Sequence, residues 1–154
     1  MGGIFVTEEE MNEIMSKIQE ERENGPSYLR RKTVLKVKEI IRMLEGNEIS
    51  EYKWHRDYVW DKELQIQYLS TVLYDPQALD IVKSILLIDD NGKLKIVDGK
   101  QRLFTLWEYG DLDNIDMSKK LLECEIPINI ITSKNSEETE EQAKEYYHLL
   151  NTKR

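Results

Sequence analysis

The stretch Lys93-Leu94-Lys95-Ile96-Val97-Asp98-Gly99-Lys100-Gln101-Arg102-Leu103-Phe104-Thr105-Leu106-Trp107 changes its hydrophobic period halfway along. Leu94, Ile96 and the β-branched Val97 have the character of a strand end, whereas Leu103, Leu106 and Trp107 recur at helical spacing. The chain therefore turns at Asp98-Gly99, where glycine permits a backbone conformation that a Cβ resists and leaves room for close approach to the main chain. The first turn of a helix carries amides without intrahelical partners, so the N–H groups of Gly99, Lys100, Gln101 and Arg102 lie where an anion is favoured, at the positive end of the dipole. Lys100 and Arg102 add two cations at the same place. Two readings compete: a strand-to-helix turn with solvated charges, and a phosphate cradle.

Upstream, Trp54-His55-Arg56-Asp57-Tyr58-Val59-Trp60 holds two of the three tryptophans beside an arginine. Aromatic rings can wall a pocket and hold a guanidinium in one rotamer, which suits bidentate contact with phosphate. The alternative is an aromatic corner of the core with Arg56 at its rim. His55 admits a general-base role or a purely hydrogen-bonded one.

Asp98-Gly99-Lys100-Gln101-Arg102 resembles the Asp-Gly-Gln-Gln-Arg signature of the GmrSD restriction endonuclease N-terminal domain family, nucleotidase-type modules related to ParB and sulfiredoxin. Arg56-Asp57-Tyr58-Val59-Trp60 is similar to that family's Gln-Arg-x-Tyr-x-Trp segment, and Leu149-Leu150-Asn151-Thr152 to its Leu-Asn-Thr/Ser element. Order and approximate spacing agree over about residues 33 to 152. Two departures stand out: His55 occupies the position of the family's Gln, and Lys100 that of the first Gln of its signature. The resemblance implies an α+β, ParB/sulfiredoxin-like domain with a small mixed sheet surrounded by helices. It also implies a nucleoside triphosphate ligand, with Asp98, Gln101 and Arg102 in catalysis, and Arg56, Tyr58, Gly99, Lys100 and Arg102 on the phosphates. Asp98 is the implied Mg²⁺ ligand.

The length of 154 residues suits one domain able to bury a core without disulfides. The net charge of −8 argues against a broad footprint for duplex DNA, whose sequence-independent affinity comes from Lys and Arg neutralising phosphates. A single cysteine, Cys124, excludes an internal disulfide, and with only His55 and His148 besides it no zinc site of common spacing can be assembled. No apolar run approaches bilayer length and the N-terminus carries acids, so a soluble, cytoplasmic protein is expected.

Thr7-Glu8-Glu9-Glu10 has the form of a capping box opening a helix that ends before Gly25-Pro26. Its stripe of Met11, Ile14, Met15 and Ile18 suits packing on its own domain, or dimerisation or a partner protein. Residues 1–26 form this N-terminal arm, and 27–154 the domain. A second helix is predicted over 33–45, with Val34, Val37, Ile40, Ile41 and Leu44 inward and Lys32, Lys36 and Lys38 as a solvated face. A short strand follows over 49–54, then a helix capped by Asp61 with Leu64, Tyr68, Leu69, Val72 and Leu73 inward. Residues 81–88 read as a buried strand, Asp89-Asp90-Asn91-Gly92 as a hairpin turn rather than a metal site, and 125–131 as another strand. Short and long helices over 117–122 and 136–150 complete the prediction, the last with Ala143, Tyr146, Tyr147 and Leu150 inward.

The expected function is a nucleoside triphosphate-binding, Mg²⁺-dependent hydrolysing module like the N-terminal domain of modification-dependent restriction systems. Two histidines cannot build the His-Asn-His-type nuclease of longer relatives. The alternatives are a non-catalytic regulator or defence-related interaction protein, a small-hydroxyl kinase, and a DNA-binding ParB relative, the last disfavoured by charge.

Overall fold

Side chains alternate across the strands, and this alternation sorts the molecule into layers. Ile126, Ile128 and Ile130 join Ile85, Leu87 and Ile96 on one face, while Ile131 joins Ile88 and Val97 on the other. The structure is a computed structural model that describes residues 5–24, 28–55, 60–80, 85–112 and 115–151. Its elements are α1 (Glu8–Asn24), β1 (Tyr28–Lys36), α2 (Val37–Glu45), β2 (Ile49–Ser50), α3 (Lys62–Tyr74), β3 (Ile85–Asp90), β4 (Lys93–Asp98), α4 (Lys100–Gly110), α5 (Asp116–Leu122), β5 (Glu125–Ser133) and α6 (Thr139–Asn151). Short 3₁₀ turns cover Pro76–Asp80 and Ser136–Glu138.

Among the described residues the strands form one mixed sheet in the order β1-β5-β3-β4-β2, an α+β arrangement. β1–β5 and β3–β4 are antiparallel, β3–β5 and β2–β4 parallel. Helices α2 to α5 cover the first face, where Ile40, Leu69, Leu103, Leu106 and Leu121 are buried; α6 covers the second with Ala143, Tyr146 and Tyr147. No helix among the described residues is long and apolar enough to cross a membrane.

The predicted helix over 33–45 begins only at Val37. Residues 33–36 belong to β1, which pairs along its full nine residues with β5 from Tyr28↔Ser133 to Lys36↔Glu125. Val34 fell in the apolar stripe by coincidence: it is an exposed residue of an edge strand, and the ladder overrides the helical period. Lys32, Lys36 and Lys38 are ion-paired, to Asp80 and, for the latter two, to Glu123. The 49–54 strand shrinks to Ile49–Ser50. Asp61 caps α3 by accepting the Leu64 N–H at 2.9 Å, but Leu64 itself faces solvent and Gln65 is buried in its place, bonded to Tyr109 and Glu108. The buried strand starts at Ile85, residues 81–84 lying outside the described set, and the strand predicted over 125–131 runs on to Ser133.

Asn91 and Gly92 both take positive φ, as a two-residue hairpin turn of the β3–β4 twist demands. Asp89 accepts the Gly92 N–H and Asp90 the Tyr52 hydroxyl, so both carboxylates serve the turn. Helix α1 starts as expected, with Thr7 Oγ1 accepting the Glu10 N–H at 3.1 Å. Its apolar stripe does not pack on the domain: Met11, Ile14, Met15 and Ile18 are each at least 50% exposed.

Two glycines with positive φ provide a graded test of this framework. A Cβ at Gly92 meets nothing within 4 Å, so Gly92→Ala carries only conformational strain, about 1 kcal/mol. A Cβ at Gly99 meets Ile85 Cγ1 at 2.9 Å and its Cα at 3.2 Å, so Gly99→Ala adds a clash against backbone. The expected loss is about 3 kcal/mol, and urea denaturation of both variants measures the difference.

Candidate functional site

Gly99 joins β4 directly to α4 in a left-handed conformation, φ 104° and ψ 14°. The Leu103 N–H bonded to Gly99 O at 2.9 Å opens the helical ladder, which puts residues 100–102 in the first turn ahead of it. One feature just before the turn is absent from any sequence pattern. Leu86 pairs with Asp98 but Leu87 pairs with Ile96, so β4 carries one extra residue there, a bulge. A bulge re-aims side chains. Val97 lies in the cluster under α6, and Asp98 lines a cavity on that same face.

Charged groups of both signs meet around the turn. The Asp98 carboxylate accepts the Gly99 N–H and lies near Arg102 and His55; burial nevertheless raises its pKa, the favourable neighbours offsetting only part of the desolvation. Arg102 is half-buried, its guanidinium 6.0 Å from the centroids of both the Trp60 and Tyr68 rings. Burial lowers the Arg102 pKa from its very high ordinary value, and Asp98 and Tyr68 act against that shift. Lys100 is paired with Glu51 at 2.6 Å and its side chain is only 11% exposed. Gln101 accepts the Trp60 backbone N–H through Oε1 at 3.3 Å.

His55 stacks on Trp54 at 4.6 Å and meets Tyr147 edge-on. Its Nε2 bonds the Ile96 carbonyl, which makes that nitrogen the protonated one. Burial is the largest influence and lowers the pKa, so the imidazole is neutral near pH 7. It sits close enough to Asp98, Lys100 and Glu51 to feel all three charges.

The sequence-predicted residues Asp98, Gly99, Lys100, Gln101 and Arg102 thus share one turn. Arg56 and Tyr58 lie outside the described residues. Trp60 and Tyr68 of α3 pack edge-to-face with ring centroids 5.9 Å apart, and the cation beside this pair among the described residues is Arg102. Sequence reading missed Glu51 and Tyr68 as neighbours of the turn. It also missed the cavity of about 220 Å³ that opens beside Asp98, bounded by Tyr28 and Arg30 of β1, Leu86 of β3, Asn129 of β5 and Tyr146 of α6. The only available signals were a polar Asn129 amid apolar strand residues and an Arg on the strand that had itself been misassigned.

Among the described residues no three His, Cys, Asp or Glu side chains cluster as a metal cage. Mg²⁺ commonly binds through one or two carboxylates plus substrate phosphates, and Asp98 fits that lesser requirement. Comparison with known protein families and with characterised proteins gives no match to this chain.

Because the folded pKa of Asp98 is raised, there is a pH interval above the ordinary carboxylate range in which the folded state keeps its proton and the unfolded state has lost it. Stability therefore falls as pH rises through that interval. Asp98→Asn retains an acceptor for the Gly99 N–H and removes the buried charge. The variant should melt higher than wild type at pH 7, and the gap should close as pH drops towards the ordinary carboxylate range; thermal melts across that range check it.

Proposed function

We propose that the protein binds nucleoside triphosphates at the β4–Gly99–α4 turn and hydrolyses them with Mg²⁺, in a domain of the ParB/sulfiredoxin-like type. The observation that carries this reading is the meeting of two separate sequence blocks. Trp60, from the aromatic block, packs on Arg102 and donates its backbone N–H to Gln101, both from the Asp98–Arg102 block. A guanidinium resting 6.0 Å from the centroids of two mutually packed rings, one helical turn from a carboxylate and at a helix start, is preorganised for phosphoryl oxygens.

Phosphate oxygens lie against the first turn of α4, with Arg102 neutralising charge. Lys100, held by Glu51, acts less as a phosphate grip than as a brace for the turn. Mg²⁺ brought with the nucleotide supplies neutralisation of phosphate charge when bound, and Asp98 is the carboxylate placed to hold it. Gln101 links the turn to the backbone of Trp60.

Preorganised donors of this type are worth about 100-fold or more in turnover. Arg102→Ala and Asp98→Ala should each lower phosphate release from a nucleoside triphosphate with Mg²⁺ by that order. Unchanged release in both variants overturns hydrolysis by this protein. Affinity by titration calorimetry without release assigns a nucleotide sensor.

A second reading, interaction with a partner protein, has its own observation. α1 carries seven acids against two bases and presents Met11, Ile14, Met15 and Ile18 to solvent. Charge complementarity points to a partner with an apolar groove rimmed by Lys or Arg, since a second copy brings the same acids. A synthetic Leu/Lys amphipathic peptide should bind the full chain, and Ile14→Glu with Ile18→Glu should abolish that binding. A dimer in sedimentation that the same substitutions dissociate shows a second copy to be the occupant instead.

A further inference from the structure

We propose that the cavity beneath α6 is a nucleobase subsite that prefers bases bearing a ring carbonyl over their amino counterparts, an inference that rests on the nucleotide reading above. Asp98 both lines this cavity and immediately precedes Gly99, so the cavity opens one residue from the phosphate turn. Its volume of about 220 Å³ lies below the roughly 300 Å³ at which drug-sized pockets begin. It suits one ring system. Leu86 gives it an apolar wall, and Tyr28 and Tyr146 close it with rings 5.4 Å apart in an edge-to-face pair. The Tyr146 phenol, pushed up to about 12 by burial and by Tyr28, stays protonated. Gln142, one turn earlier on α6 and only 2% exposed, approaches that phenol without a hydrogen bond of good geometry.

The polar groups are arranged with a direction. Arg30 Nη2 donates to Asn129 Oδ1 at 3.2 Å, which ties the guanidinium of this exposed β1 residue to β5. A guanidinium has five N–H donors and no acceptor, so only an acceptor edge on the ligand can replace the water that this exposed arginine otherwise binds on the cavity side. Asp98 lies at the end beside the turn and repels such an edge. A base therefore enters with its carbonyl towards Arg30. Arginine paired with the carbonyl and ring nitrogen of guanine is the commonest specific contact between a side chain and a base, whereas an exocyclic amine there opposes donor to donor.

Binding of ITP and ATP to the full chain isolates this contact, because the two bases differ in oxo against amino at one position. UTP and CTP provide the pyrimidine pair, and tripolyphosphate the base-free control. ITP and UTP should bind about tenfold or more tightly than ATP and CTP, and tripolyphosphate more weakly than ITP. Arg30→Leu, and equally Arg30→Lys, which keeps the charge but loses the fork, should bring ITP down to the level of ATP. Equal affinities for ITP and ATP in the wild type, with tripolyphosphate bound, overturn the subsite alone. So does an equal fold-loss of tripolyphosphate and ITP in Arg30→Lys. Failure of every triphosphate and of tripolyphosphate to bind overturns the nucleotide reading and the subsite with it.

Discussion

The missing Cβ of Gly99 is the constraint on which the site depends. Its space is taken by Ile85 at the start of β3, so strand and helix can join through one residue with no intervening loop. A longer connection would let α4 start anywhere along an arc. The direct junction leaves no such freedom, and it sets Arg102 one helical turn beyond Asp98. Side chains on a helix lean towards its N-terminus, which swings the Arg102 guanidinium back over the turn and against the Trp60–Tyr68 ring pair.

Among the described residues Lys100 answers Glu51 and Arg102 lies near Asp98, so each of these cations has a carboxylate beside it. On the proposed nucleotide reading, anion binding draws on placement: a partly desolvated guanidinium held against two rings at a helix start, so that little reorganisation accompanies binding. The same desolvation raises the Asp98 pKa, a sign that the folded chain holds this carboxylate at some cost to its stability.

The turn itself was legible because three local signals agree there: a strand period, a glycine, and a helical period with cations in its first turn. The Asn91-Gly92 hairpin and the Asp61 cap were legible for the same reason, each being decided by neighbours in sequence. β1 was not. Its residues have no stripe of their own, and what makes them a strand is a ladder to β5 about a hundred residues away. The cavity went unseen in consequence, since Arg30 belongs to that strand and reaches Asn129 only through the pairing. The bulge was equally hidden, because a one-residue slip shows only once both partners are known. Nor does a sequence pattern show that α1's apolar stripe stays exposed.

Net charge is unevenly spread along the chain. The value of −8 belongs to the whole sequence, but seven acids against two bases stand on α1 alone, so most of the imbalance sits on one helix with an unpacked apolar face. The rest of the sequence carries the remaining −3. At physiological ionic strength charges are screened beyond about 8 Å, so acids on the exposed face of α1 contribute little to the potential felt inside a recessed turn. The acidic balance therefore bears most on what approaches α1 and least on the turn at Gly99, where Arg102 and Asp98 meet. One global property thus divides into two local ones, a strongly acidic helix with an exposed apolar stripe and a domain that is only mildly acidic.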